Sequence, residues 1–146
     1  AIPGFSSNVN SLGLAIDADD DCNSAFRSVS TCLRSLGFAV PTAPLQPAGD
    51  NPQVAIMLLP SCNANGMLED LCLKSIQNDA VMPCLEAFFQ CVNLNGITQN
   101  VAKAKVHAFL ATRSEPDKRL GEAALANYWP FNDPAFIEVK AFVSML

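Results

Sequence analysis

The stretch Ser11–Asp21, SLGLAIDADDD, constrains the fold more than any other. Five apolar residues, Leu12-Gly13-Leu14-Ala15-Ile16, run without alternation and stop at Asp17-Ala18-Asp19-Asp20-Asp21. A run this short, apolar at every position and bounded by polar residues, reads as a parallel-sheet strand buried on both faces. The acids then fall at the carboxyl end of the strand, where open α/β sheets place their sites. Alternate side chains of a strand share a face, so Asp17 and Asp19 are expected on one side, on the order of 7 Å apart at ~3.3 Å per residue. Two such carboxylates suit a hard divalent cation, Mg²⁺ or Mn²⁺, bound weakly with waters and a phosphate completing its shell. The competing reading is a solvated acidic turn that caps the next helix, chemistry that aspartate also favours.

A second apolar run, Val54–Leu59, reads as another strand. Between the two, Phe26, Val29, Leu33 and Leu36 follow the helical period over Cys22–Leu36, with Asp20 or Asp21 as N-cap and Gly37 at the end. Strand, helix and strand make a right-handed βαβ unit. Pro41, Pro44, Pro47 and Pro52 mark the segment before the second strand as a surface loop. Downstream, a helix opens at Met67-Leu68-Glu69-Asp70, with its acids in the first turn. A helix over Asp79–Val92 turns Val81, Met82, Leu85, Phe88, Phe89 and Val92 inward, and Asn93–Gly96 ends it. Another, over Thr98–Thr112 with Thr98 as cap, turns Val101, Val106, Phe109 and Leu110 inward. It leaves Lys103 and His107 one turn apart on the opposite face. A short helix is expected over Gly121–Asn127, then an aromatic turn, Tyr128–Phe131, read as core and not as a base-stacking platform. The last helix, Ala135–Leu146, would bury Phe136, Val139, Val143 and Leu146. Half of the 146 residues are hydrophobic and 16 % are charged, enough for one packed core. The expected fold is a single α/β domain over residues 1–146, a small parallel sheet flanked by helices.

Charge narrows the function. The net charge is −5, and residues 1–96 carry nine acids against three bases. A general nucleic-acid binder needs cations against phosphates, so that class is excluded, while local contact through a metal and a few lysines stays open. The longest apolar run is too short to span a membrane, and no basic-then-apolar leader opens the sequence, so a cytoplasmic protein is expected. Six cysteines without a C-x-x-C spacing, and His107 as the one histidine, argue against structural zinc. The thiols are expected reduced, several of them as small hydrophobes on helices.

The D-x-D motif admits several chemistries. An EF-hand counted from Asp17 would need Gly at Cys22 and Glu at Ser28, and fails. A glycosyltransferase-like D-x-D is open but unspecific. A haloacid-dehalogenase-like phosphatase would use Asp17 as nucleophile, with Ser61 near the expected place after the second strand, but would want Thr or Val at Asp21. A Toprim domain uses a D-x-D at a strand end within a carboxylate cluster for Mg²⁺-dependent phosphodiester chemistry.

Three later stretches favour the last reading: Leu58-Leu59-Pro60-Ser61-Cys62-Asn63 with Gly66-Met67-Leu68-Glu69-Asp70-Leu71, then Ala102–Ala111, then Leu120-Gly121-Glu122-Ala123-Ala124. Their order and spacing, from about Leu12 onward, resemble a family of small bacterial proteins that is Toprim-like and related to the Toprim half of the OLD-family nucleases. The resemblance implies a metal site of Asp17, Asp19 and Glu69, a phosphate-facing Lys103, and Glu69 and Lys103 as the catalytic pair. It implies weakly bound Mg²⁺ or Mn²⁺ as cofactor and nucleic acid or another phosphate-bearing substrate as partner. A Toprim domain begins with a strand ending in glutamate, and nothing acidic precedes Asp17. The expected domain is therefore Toprim-like and incomplete at its N-terminus, with weak activity alone. The alternative is a non-catalytic metal-binding or interaction domain, acting as a homo-oligomer or with a partner subunit.

Overall fold

The computed structural model describes residues 9–92 and 100–146. In chain order these form β1 (Ser11–Asp17), α1 (Cys22–Ser35), β2 (Gln53–Leu59), α2 (Leu68–Ser75), α3 (Met82–Cys91), α4 (Val101–Leu110), α5 (Leu120–Leu125), a 3₁₀ turn (Pro134–Phe136) and α6 (Ile137–Val143). The chain is α/β with a two-stranded parallel sheet. It divides into two compact units, residues 1–68 with 137–146, and residues 69–136.

In the first unit β1 and β2 pair in parallel, Ser11 opposite Gln53 through Asp17 opposite Leu59. Helix α1 makes the crossover. Asp21 is its cap: the carboxylate accepts the N–H groups of Asn23 at 3.0 Å and Ser24 at 3.2 Å, satisfying donors that the first turn leaves without partners. Gly37, at φ +78°, takes the left-handed conformation that ends the helix. Phe26, Val29 and Leu33 of α1 pack on one sheet face with Val54, Ile56 and Leu58. On the other face Ala55 and Met57 pack with Val139 and Phe142 of α6. Both faces of β2 are therefore covered, which is why it is apolar without alternation. Strand β1 differs from expectation. It is only half-buried, with Gly13 and Ala15 exposed, because β2 is its one neighbour among the described residues.

The chain end also differs. Asp133 accepts the N–H of Ala135, and the 3₁₀ turn precedes α6. Phe136 and Phe142 are buried, while Val143 and Leu146, expected inside, are exposed.

The second unit is helical. Leu71 and Cys72 of α2, Leu85 and Phe89 of α3, Val106, Phe109 and Leu110 of α4, and Ala123 of α5 are buried. Trp129 is buried with them. Its indole N–H donates to the Leu120 carbonyl at 3.2 Å, and its ring stacks on Phe109 at 5.4 Å between centroids. Phe131 of the same turn is exposed. Helix α3 starts at Met82, three residues later than its periodicity predicts. Asp79 binds the Val81 N–H in a local turn, and Pro83 suits the first helical turn. Phe88, expected inward, is 52 % exposed and meets Phe89 edge-on. Helix α4 is capped by Asn100, whose side chain accepts the Lys103 N–H at 2.8 Å; Thr98 and Asn93–Gly96 lie outside the described residues. No helix among the described residues is long and apolar enough to cross a membrane.

Candidate functional site

The acidic end of β1 is held by the loop that follows β2. Asp17, the last strand residue, is exposed, and its carboxylate accepts the N–H of Leu68 at 2.9 Å. Leu68 is the first residue of α2, so Asp17 places negative charge on the positive end of a helix. Ala18 is buried and donates its N–H to Leu59 at 2.9 Å, extending the strand pairing by one residue. Asp19 then turns left-handed, at φ +49°, a conformation aspartate tolerates better than most residues. Its backbone exchanges two hydrogen bonds with Gly66, at 2.8 and 2.7 Å. Gly66 stands at φ +128°, which disfavours any side chain.

The left-handed turn at Asp19 ends the extended geometry on which the expected spacing of the two acids rested. Strand alternation ends at Asp17, so a common face for Asp17 and Asp19 no longer follows from extended geometry. Asp17 closes the strand, and Asp19 lies in the loop stitched to Gly66. Asn65 completes the stitching: its amide N–H donates to the Asp20 carbonyl at 2.6 Å, and its oxygen accepts the Cys22 N–H at 3.0 Å. Asn65 and Gly66 are site-shaping residues that the sequence reading missed. Their signal was turn chemistry, an Asn-Gly dipeptide after a strand.

Glu69 and Lys103 come together in the second unit. Glu69 is buried, at 7 % exposure, and Lys103 Nζ lies 3.5 Å from its carboxylate. The lysine side chain remains 55 % exposed, so its ammonium is both an ion-pair partner and open to solvent. Cys72 is buried nearby in the same unit; burial, and then the charge of Glu69, push its thiol up to about 12. His107 is exposed on the outward face of α4, as is Lys103. Among the described residues no three His, Cys, Asp or Glu side chains gather as a metal cluster.

All six cysteines are free thiols, and Cys32, Cys84 and Cys91 are exposed although their helical positions suggested packing. Burial, with Glu138 adding to it, pushes the Cys62 thiol up to about 11. The thiolate is the reacting form. In native protein at pH 8, iodoacetamide should therefore modify Cys32, Cys84 and Cys91 first and Cys72 last, as read by peptide mass spectrometry. Early labelling of Cys72 would contradict its placement.

No curated protein and no solved structure matches the chain. A family model described as protein of unknown function (DUF3226) matches residues 3–146, nearly the full length, and the chain belongs to that family.

Proposed function

We propose that the acidic loop of the first unit is a weak divalent-cation site of Toprim-like character, serving phosphoryl transfer on nucleic acid or another phosphate-bearing substrate. The observation that carries this reading is the position of Asp17. It is an exposed carboxylate at the carboxyl end of a parallel strand, seated at the N-terminus of α2 beside a loop pinned at Asp19 and Gly66. The donor set fits Mg²⁺ or Mn²⁺, which favour hard carboxylate oxygens and tolerate several waters. Asp17 and Asp19 would hold the ion, and the ion would supply charge neutralisation at a phosphate. Glu69 and Lys103 remain the proposed catalytic pair. The exposed ammonium of Lys103 suits a phosphate oxygen, and the buried Glu69 carboxylate orients it. The resemblance also implies Glu69 as a metal ligand; here it is proposed only as the partner of Lys103.

A second reading, a non-catalytic metal-binding or interaction domain, is favoured by one observation. Asp17 and Asp21 each already satisfy helix N–H groups, so both acids have a purely structural task. Calorimetric titration with Mn²⁺ tests the first claim. Wild type should bind with Kd on the order of 10⁻⁴–10⁻³ M, the weak end for oxygen sites. Asp17→Asn and Asp19→Asn should each weaken it. Isotherms identical to wild type would remove the site. If the metal binds and neither wild type nor Lys103→Gln hydrolyses a DNA substrate above background, the second reading stands. Trapping an acyl-phosphate on Asp17 would instead favour phosphatase chemistry.

A further inference from the structure

The second unit contains a cavity of about 600 Å³, lined by the chain following α2, the chain following α4 and the loop before Pro134. Its charged lining groups are Asp79, Arg113 and Asp133. Each is held in place by the protein itself. Arg113 Nη2 lies 3.1 Å from Asp79, and its guanidinium carbon sits 3.9 Å from the centroid of the Phe109 ring. Asp79 also accepts the Val81 N–H at 2.9 Å, and Asp133 accepts the Ala135 N–H at 2.8 Å. The Val81 N–H bond, and then Arg113, hold the Asp79 carboxyl below the usual carboxylate range, so it stays ionised near neutral pH. The Tyr128 hydroxyl is fixed too, 2.9 Å from the Ser114 hydroxyl and accepting the Glu115 N–H at 3.2 Å.

Fixed groups bind without the ordering cost that flexible ones incur. The volume suits a small molecule. The charges select its class. Two carboxylates repel phosphates and other polyanions, while a ligand that is only a cation must face the guanidinium. A molecule carrying one carboxylate and one ammonium answers both. Arg113 keeps donors beyond the one given to Asp79, and guanidinium matches carboxylate in geometry. We propose that this cavity is a binding site for a small zwitterion of the amino-acid or dipeptide class, its carboxylate on Arg113 and its ammonium on the Asp79 and Asp133 side. Ile76 and Pro130 give its body an apolar wall. The site is independent of the acidic loop in the first unit, and its test does not involve a metal.

The test is a titration of the ¹⁵N-labelled full chain, followed by amide shifts. The probes are L-alanine, L-phenylalanine, L-lysine and dialanine. N-acetyl-L-phenylalanine carries only the carboxylate, phenethylamine only the ammonium, and AMP a phosphate. At least one zwitterion should shift the amides of Arg113, Ser114 and Tyr128 saturably. The single-charge analogues and AMP should bind roughly tenfold or more weakly, the effect of losing one charged contact. Asp133→Asn keeps an oxygen for the Ala135 N–H and removes only charge. It should weaken the zwitterion by roughly tenfold with an unchanged thermal midpoint, which separates lost binding from lost folding. Three results would each overturn the proposal: no zwitterion shifting these amides, N-acetyl-L-phenylalanine, phenethylamine or AMP binding as tightly, or Asp133→Asn binding unchanged.

Discussion

Phe109→Ala should lower the thermal midpoint by roughly 10 °C, from a loss of about 3–5 kcal/mol typical of emptying a buried aromatic site. Phe109 is 1 % exposed. One face stacks on Trp129 at an interplanar angle of 23°, and the guanidinium of Arg113 also rests on the ring. Truncation therefore removes transfer energy, an aromatic contact and a cation–π contact together. It also leaves a cavity that Trp129 is too rigid to fill. Phe109→Leu should cost less than half as much, because it retains most of the apolar volume. Chemical and thermal denaturation of the two variants checks the order. Equal losses would mean that the stack contributes nothing beyond area.

Ile56→Ala should cost about 2–5 kcal/mol and Ile56→Val about 0.5–1.5 kcal/mol. Ile56 has no exposure and lies centrally in β2. It packs with Leu33 of α1, and its carbonyl accepts the Leu45 N–H at 2.9 Å. Strand β2 is the element both cores of the first unit share, so a hole there weakens the face against which α1 closes. The measurement is the urea midpoint with the m-value held in view. A fall in midpoint at constant m reports lost stability, whereas a changed m reports a different unfolding reaction. A loss below 1 kcal/mol for Ile56→Ala would contradict the burial described.

The βαβ core was legible because its signals are local. Val54–Leu59 is apolar without interruption, Cys22–Ser35 carries a clear 3.6 period, and Asp21 and Gly37 punctuate it at the positions that capping chemistry requires. What escaped was set by neighbours or by phase. The partial exposure of β1 depends on how many strands flank it, which no residue of β1 encodes. Phe142, and not Val143, joins Val139 against Ala55 and Met57, a choice between i+3 and i+4 that the helical period leaves open. The start of α3 moved because Asp79 engaged Val81, and Asp79 also reaches Arg113, 34 residues away. That ion pair, and the cavity around it, joins two stretches that the sequence marks only as a helix start and a polar loop.

The candidate site was legible to the same degree. The acids at Asp17 and Asp19, the exposed Lys103 and the helix-start Glu69 are all visible as residues, and the pairing of Glu69 with Lys103 across two helices is not. The left-handed turn at Asp19 was hidden for a different reason. Its cause is the antiparallel bridge to Gly66, a contact 47 residues distant in sequence.

The central claim is that the loop after β1 binds a divalent cation through Asp17 and Asp19. Paramagnetic broadening by substoichiometric Mn²⁺ in the ¹H–¹⁵N spectrum tests it most directly, because broadening falls steeply with distance from the ion. The amides of Asp17 to Asp20 and those of Asn65, Gly66 and Leu68 should broaden first. That pattern should disappear in Asp17→Asn/Asp19→Asn while the remaining spectrum is unchanged. Broadening centred elsewhere, or spread evenly over the exposed acids and indifferent to the double substitution, would contradict it.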